Sequence, residues 1–151
     1  SWEHGEVATA LISALHSFVR ANRLGRVYTE TGYRVARAPD TVRGPDVSFI
    51  SRETVPDSGT PKDGFVPFAP TLAVEVVSPG DLEREIGAKI AEYAAAGVSR
   101  VWVVRPKQKS VTIHYPDGAA RTLTEGGTLT SDDAGFAVEG FELKLDELFA
   151  E

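Results

Sequence analysis

The fold is read from residues 71–104: Thr71-Leu-Ala-Val-Glu-Val-Val77, the turn Ser78-Pro-Gly-Asp81, Leu82 to Ala96, and Val101-Trp-Val-Val104. The first run has strand length and a single charge, the pattern of a central strand covered on both faces. Leu82 to Ala96 has helical periodicity and meets Gly97, a residue suited to the left-handed conformation after a helix end. Val101 to Val104 is a second short apolar strand. Strand, helix and strand in that order predict a βαβ unit with parallel strands and a right-handed crossover.

Working outward, residues 51–70 hold Pro56, Pro61, Pro67 and Pro70 with Gly59 and Gly64, which neither a strand interior nor a helix interior accepts. A loop of about 20 residues is expected, and such loops serve as lids or binding segments or as plain surface excursions. Upstream, Val7, Leu11, Ala14, Leu15, Phe18 and Val19 recur at helical spacing, so residues 4–22 read as an amphipathic helix with Gly25 as its stop signal. Arg26 to Ala36, broken by Gly32, then Ala38-Pro-Asp-Thr41 and Asp46-Val-Ser-Phe-Ile50, read as an antiparallel pair or meander. Downstream, Val111 to Tyr115 and Arg121 to Thr124 flank Pro116-Asp-Gly118 as a hairpin, and Val138 to Phe149 reads as a last strand and a short terminal helix. The expected fold class is α/β: a mixed sheet with a parallel βαβ centre, antiparallel edge strands and flanking helices.

The chain has 151 residues, 42% hydrophobic and 25% charged, which suits one globular domain spanning 1–151 and excludes a multidomain enzyme. Sixteen Lys plus Arg against 22 Asp plus Glu leave a net charge of -6, so there is no global basic field to hold nucleic acid non-specifically. No apolar run reaches the roughly 20 residues of a membrane span, and the start lacks the features of an export signal, so a soluble cytoplasmic protein is expected. The absence of Cys excludes disulfides, thiolate metal sites and cysteine nucleophiles.

Three charges stand where a core should be. Glu75 lies inside the run Leu72 to Val77, where a lone carboxylate is costly to desolvate. Alternation puts it on one face with Ala73 and Val77, opposite Leu72, Val74 and Val76. On the following helix, a wheel at about 100° per residue places Lys89 with Leu82, Ile86 and Tyr93 on the apolar stripe. Asp46 opens another β-run in Gly44-Pro45-Asp46. Each has a plain structural alternative: a buried ion pair for Glu75, a snorkelling stem for Lys89, a turn residue for Asp46. Together they are two carboxylates and an ammonium, the parts that bind a hard divalent cation and orient one of its waters.

Other candidates carry less. His4, His16 and His114 lack metal-ligand spacing, Ser78 lacks a Gly-x-Ser-x-Gly elbow, and there is no Walker-type phosphate loop. Trp102 and Tyr93 read as core. Arg34, Arg37, Arg43, Lys107 and Lys109 offer a local basic rim for a nucleic-acid backbone, although each alone reads as a solvated charge.

Arg43-Gly-Pro-Asp46-Val-Ser-Phe-Ile50, Ala69-Pro-Thr-Leu-Ala-Val-Glu75-Val-Val-Ser-Pro79, Lys89-Ile-Ala-Glu-Tyr93-Ala-Ala-Ala-Gly97-Val98 and Gly140-Phe-Glu-Leu-Lys-Leu-Asp-Glu-Leu-Phe149 resemble the Uma-type family of restriction endonucleases, which is similar to the PD-(D/E)XK nuclease superfamily. The resemblance implies a restriction-endonuclease-like fold over most of residues 2–149. It also implies catalytic residues Asp46, Glu75 and Lys89, with Asp46, Glu75 and the Val76 main-chain carbonyl as ligands of Mg²⁺ or Mn²⁺. Val77 stands at the usual lysine position, so Lys89 on the following helix takes that part. Glu3 or Glu6 on the first helix is a possible accessory carboxylate, and family members carry a further segment before that helix.

The implied function is a divalent-metal-dependent endonuclease that hydrolyses phosphodiester bonds of DNA, acting as a homodimer. Two alternatives stay open: an RNA-directed nuclease, and a catalytically silent nuclease-fold binding module in which Glu75 and Lys89 are only a buried pair.

Overall fold

The computed structural model describes residues 1–62 and 64–150. The first helix, α1, spans Trp2–Ala21, starting two residues before the expected 4–22 because the Ser1 hydroxyl accepts the His4 amide at 3.3 Å and caps it. Its buried stripe is Val7, Leu11, Leu15 and Val19.

Strands β1 (Gly25–Thr29), β2 (Tyr33–Ala36), β3 (Thr41–Arg43), β4 (Val47–Ser51) and β5 (Leu72–Val76) follow, then α2 (Glu83–Ala95), β6 (Arg100–Arg105), β7 (Ser110–His114) and β8 (Ala120–Leu123). A third set, β9 (Thr128–Thr130), α3 (Ser131–Ala134), β10 (Glu142–Lys144) and α4 (Leu145–Leu148), closes the chain. Six strands form one sheet in the order β1-β4-β5-β6-β7-β8. Within it only β5 and β6 run parallel, with Leu72 opposite Arg100 and Val76 opposite Val104. That is the βαβ centre with antiparallel edges that the pattern of residues 71–124 predicts.

The expected antiparallel pair or meander over 26–50 is met as antiparallel pairs and not as one continuous meander. β1 pairs with β4, while β2 and β3 make a separate ribbon. The reason is the loop: the Val66 amide donates to the Gly32 carbonyl at 2.7 Å and the Arg34 amide to the Val66 carbonyl at 2.9 Å, strapping β2 to the loop instead of to β1. Gly25 is not the stop of α1, which ends at Ala21 with Asn22 as its cap and Arg23 following at φ +53°. It is the first residue of β1, with φ +151°, and a Cβ there would stand 2.0 Å from the Ile50 carbonyl oxygen, an approach only glycine permits.

The two faces of the sheet bury different partners. On one, the α1 stripe packs with Leu72, Val74, Val76, Trp102, Val104, Val111 and Ile113, closed by Phe136, Phe141, Leu145 and Leu148. On the other, Ile50, Ala73 and Val101 pack with Tyr33 and Val35 of β2 and Tyr93 of α2. The Pro/Gly-rich stretch makes one isolated bridge, Tyr33 to Val66, and its Val55, Phe68 and Ala69 lie against this second cluster. Those residues of the stretch wall the second core.

Residues 128–134 were not marked by periodicity, because three- and four-residue elements are too short to show any. Tertiary bonds set them: the buried Asp133 carboxylate accepts the Thr130 amide at 2.8 Å and hydroxyl at 3.1 Å, and also pairs with Arg121. The Trp102 indole N–H donates to the Asp133 carbonyl at 2.7 Å, so a fully buried Trp couples the sheet to this closing segment.

α2 is flanked by Leu82 and Ala96, and Gly97 follows at φ +90° as expected of a residue just past a helix end. Leu82 is exposed, so the inward stripe begins at Ile86.

Candidate active site

The end of the sheet where β5 finishes and β4 begins is where the charged candidates meet. The antiparallel register sets Val47 opposite Val74, and one further step puts Asp46 beside Glu75. Pro45 has no N–H and ends the ladder there. The Asp46 side chain takes over: its Oδ2 accepts the Val76 amide at 2.7 Å. In an extended strand the amide and carbonyl of one residue leave on the same edge, so the Val76 carbonyl shares the Asp46 side of β5.

Glu75 projects from the face of β5 that α2 covers, with its side chain 13% exposed. Its Oε1 accepts the Tyr93 hydroxyl at 2.8 Å, and Lys89 Nζ lies 3.9 Å from its Oε2. Lys89 and Tyr93 are four residues apart, one turn of α2, which is why both reach one carboxylate. Burial pushes the Glu75 carboxyl above the usual carboxylate range, the Tyr93 hydrogen bond and the Lys89 charge oppose that rise, and the Asp46 and Asp81 charges add to it. Tyr93 is pushed above the usual phenol range, first by burial and then by the Glu75 charge and hydrogen bond, so its hydroxyl stays a donor.

Removing that donor has a readable cost. Tyr93→Phe is expected to lower the unfolding free energy by roughly 1–3 kcal/mol, because a buried carboxylate loses its hydrogen bond. Urea denaturation at neutral pH checks it.

Two contributors were not legible beforehand. Tyr93 is core, as read, yet its hydroxyl belongs to the site. His4, set aside for lack of spacing, has its Nε2 3.3 Å from Asp46 Oδ1. The two are 42 residues apart in the chain (46 − 4), so no local pattern could reveal the contact.

The accessory carboxylates are both exposed on α1. Glu3 is exposed and borders a recess with Val77, Ser78, Asp81, Arg105 and Lys107, while Glu6 faces a groove with Trp2, Leu148 and Phe149. Among the described residues no three His, Asp or Glu side chains are grouped to hold a metal ion. The candidate donors at the sheet end are the two neighbouring carboxylates, Asp46 and Glu75, and the Val76 main-chain carbonyl. That suits a hard cation that keeps several of its waters.

The five basic residues do not form one patch. Arg43 is held by Glu92 of α2 through bonds of 2.5 and 2.9 Å, which raise the guanidinium and lower the carboxyl from their usual values. Arg34 lies over the Phe65 ring, 5.6 Å to its centre, and 3.9 Å from Asp40. Arg37 is exposed in the β2–β3 turn, and Lys107 and Lys109 in the β6–β7 turn. Arg43→Ala is expected to change stability by no more than about 1 kcal/mol, as for other partly exposed pairs, checked by thermal unfolding.

The profile of the Uma2 family, described as "Putative restriction endonuclease", matches residues 1–146. No curated protein matches the chain. Among solved structures, "a putative nuclease belonging to DUF820" from Anabaena variabilis ATCC 29413 superposes with a TM-score of 0.78 at 19% identity, covering 98% of this chain and 80% of that one. At that identity the likeness is one of fold.

Proposed function

The chain belongs to the Uma2 family of restriction-endonuclease-like proteins, and on that premise we propose that it is a divalent-metal-dependent endonuclease that hydrolyses phosphodiester bonds of DNA. Residues 1–151 are read as one such domain, with Asp46, Glu75 and Lys89 as its catalytic residues. The observation that carries the proposal is the meeting of Asp46 from β4's start, Glu75 from β5 and Lys89 from α2 at one end of the sheet, with Lys89 Nζ 3.9 Å from Glu75.

Asp46, Glu75 and the Val76 carbonyl would hold the cation, Mg²⁺ or Mn²⁺, since hard oxygens are the donors present. When bound, it supplies an acidified water and neutralises charge on the phosphate. The chain's own residues do the rest. The Val76 amide holds Asp46 in line with the strand edge, and the Tyr93 hydroxyl fixes the Glu75 carboxylate. Lys89, 39% exposed, has its ammonium at the rim, where it orients an attacking water and offsets charge developing on the scissile phosphate. In this reading Lys107, beside the recess at the end of β5, and the exposed Arg37 of the β2–β3 turn would meet the backbone; Arg34, Arg43 and Lys109 are secondary in this role because the first two are already engaged and the last borders the α4 groove.

Plasmid nicking in Mg²⁺ or Mn²⁺, with EDTA as control, tests this. Lys89→Met is expected to cut at least about a hundredfold more slowly than wild type. Equal rates for the two proteins would remove Lys89 from the reaction.

A second reading, a silent nuclease-fold binding module, is favoured by the net charge of -6 and by the closed Glu75–Lys89 pair. Calorimetry separates them: divalent-ion binding that Asp46→Asn abolishes supports the enzyme, and no binding supports the module. A parallel RNA substrate tests the choice of nucleic acid, and sedimentation tests the proposed two-fold dimer.

A further inference from the structure

Asp46 has one contact that the nuclease reading leaves unused. Its Oδ2 is committed to the Val76 amide, while its Oδ1 faces His4 Nε2 at 3.3 Å. His4 comes from the other layer of the molecule. α1 packs on the face of the sheet opposite α2, and only its first turn reaches past the sheet end to the start of β4. Ser1 fixes that turn through its hydroxyl on the His4 amide, so the imidazole is carried by a capped helix end and not by a loose terminus. Both side chains are mostly covered, 23% and 20% exposed. A loose surface contact would cover neither.

We infer that His4 is a positioning residue for the cation site: its imidazole Nε2–H donates to Asp46 Oδ1 and, with the Val76 amide on Oδ2, locks the carboxylate plane so that its remaining lone pairs face the cation. This rests on the proposed metal site. A carboxylate oxygen has two lone pairs, so a hydrogen bond to each oxygen leaves one on each for a metal. Such outer partners of metal ligands carry weight, since removing one typically costs 10–100-fold in metal affinity. In this chain the contribution of α1 is therefore a histidine one residue from Glu3 and two from Glu6, the carboxylates expected to supply it.

The test is Mn²⁺ titration calorimetry on the full chain, with Mn²⁺ as the probe. His4→Ala is expected to weaken binding by about tenfold or more. His4→Gln, whose amide nitrogen sits as many bonds from Cα as Nε2, is expected to restore it to within about threefold, and His4→Asn, one bond shorter, is not. A purely structural histidine would not show that ranking at equal thermal stability. Electron spin-echo spectra of the Mn²⁺-loaded protein are expected to lack a directly bound imidazole nitrogen. Unchanged affinity in His4→Ala, or a bound nitrogen in the spectra, overturns the role of His4 while Asp46→Asn still abolishes binding and the site stands. No Mn²⁺ binding by wild type overturns both.

Discussion

Glu75→Gln is expected to cut DNA about 10²–10³-fold more slowly than wild type while leaving the metal-free protein at least as stable at neutral pH. The first half follows from removing one of the two carboxylates proposed to hold the cation. The second follows from burial. The Glu75 carboxyl titrates above its usual value near 4.5 in the folded chain, chiefly through desolvation. A native state that binds the proton more tightly than the unfolded one gains stability from this group below the unfolded pKa. That gain is lost as pH rises through the elevated folded pKa. Ionised Glu75 is thus a cost to the metal-free fold at neutral pH, and glutamine keeps an acceptor for the Tyr93 hydroxyl without the charge. Urea denaturation in EDTA from pH 4 to 8 checks it: the advantage of the variant over wild type should grow with pH across that window. A variant less stable than wild type at neutral pH would contradict it. Loss of activity together with equal or greater stability is the signature of a residue kept for chemistry.

Trp102→Ala is expected to lower the unfolding free energy by about 3–5 kcal/mol, a large part of the stability of a domain this size. Trp102 is fully buried at the centre of β6, so truncation opens a cavity under α1 and the closing segment. It also strips the Asp133 carbonyl of its indole donor. The damage should spread unevenly. β9, α3 and β10 are short, and the Asp133 carboxylate organises Thr130 and Arg121 at their centre. Hydrogen exchange at the Thr130 and Phe136 amides is expected to accelerate more than exchange in β4. Chemical denaturation gives the total, and a loss under about 1.5 kcal/mol would show that the core repacks around the gap.

Much of the fold could be read before any coordinates. The βαβ centre was legible because Thr71 to Val104 states its own periods, two for the strands and 3.6 for α2, with Gly97 as punctuation. The 111–124 hairpin carried its turn residues. The antiparallel pairing of the 26–36 run with 46–50 was legible and is met by β1 on β4; the split of that run into a separate β2–β3 ribbon was not, because the loop's Val66 decides it from more than 30 residues away from Gly32 (66 − 32). β9 and α3 were too short for any period to show.

The site divides along the same line. Glu75 and Lys89 stood out from the sequence because charge on an apolar face is expensive, and that cost is visible one element at a time; Asp46, a turn residue taken alone, counted only beside them. What only the tertiary structure decided is which groups answer those charges. Tyr93 reads as a core aromatic until its hydroxyl is found on Glu75, and His4 reads as an isolated histidine until α1 carries it past the sheet end to Asp46. Arg34 and Arg43 read as a basic rim until Phe65, Asp40 and Glu92 are seen to engage them. Periodicity is a property of one element and survives in the linear order of residues. Pairing between elements depends on how layers stack and where each strand ends, and that information exists only once the chain has closed on itself.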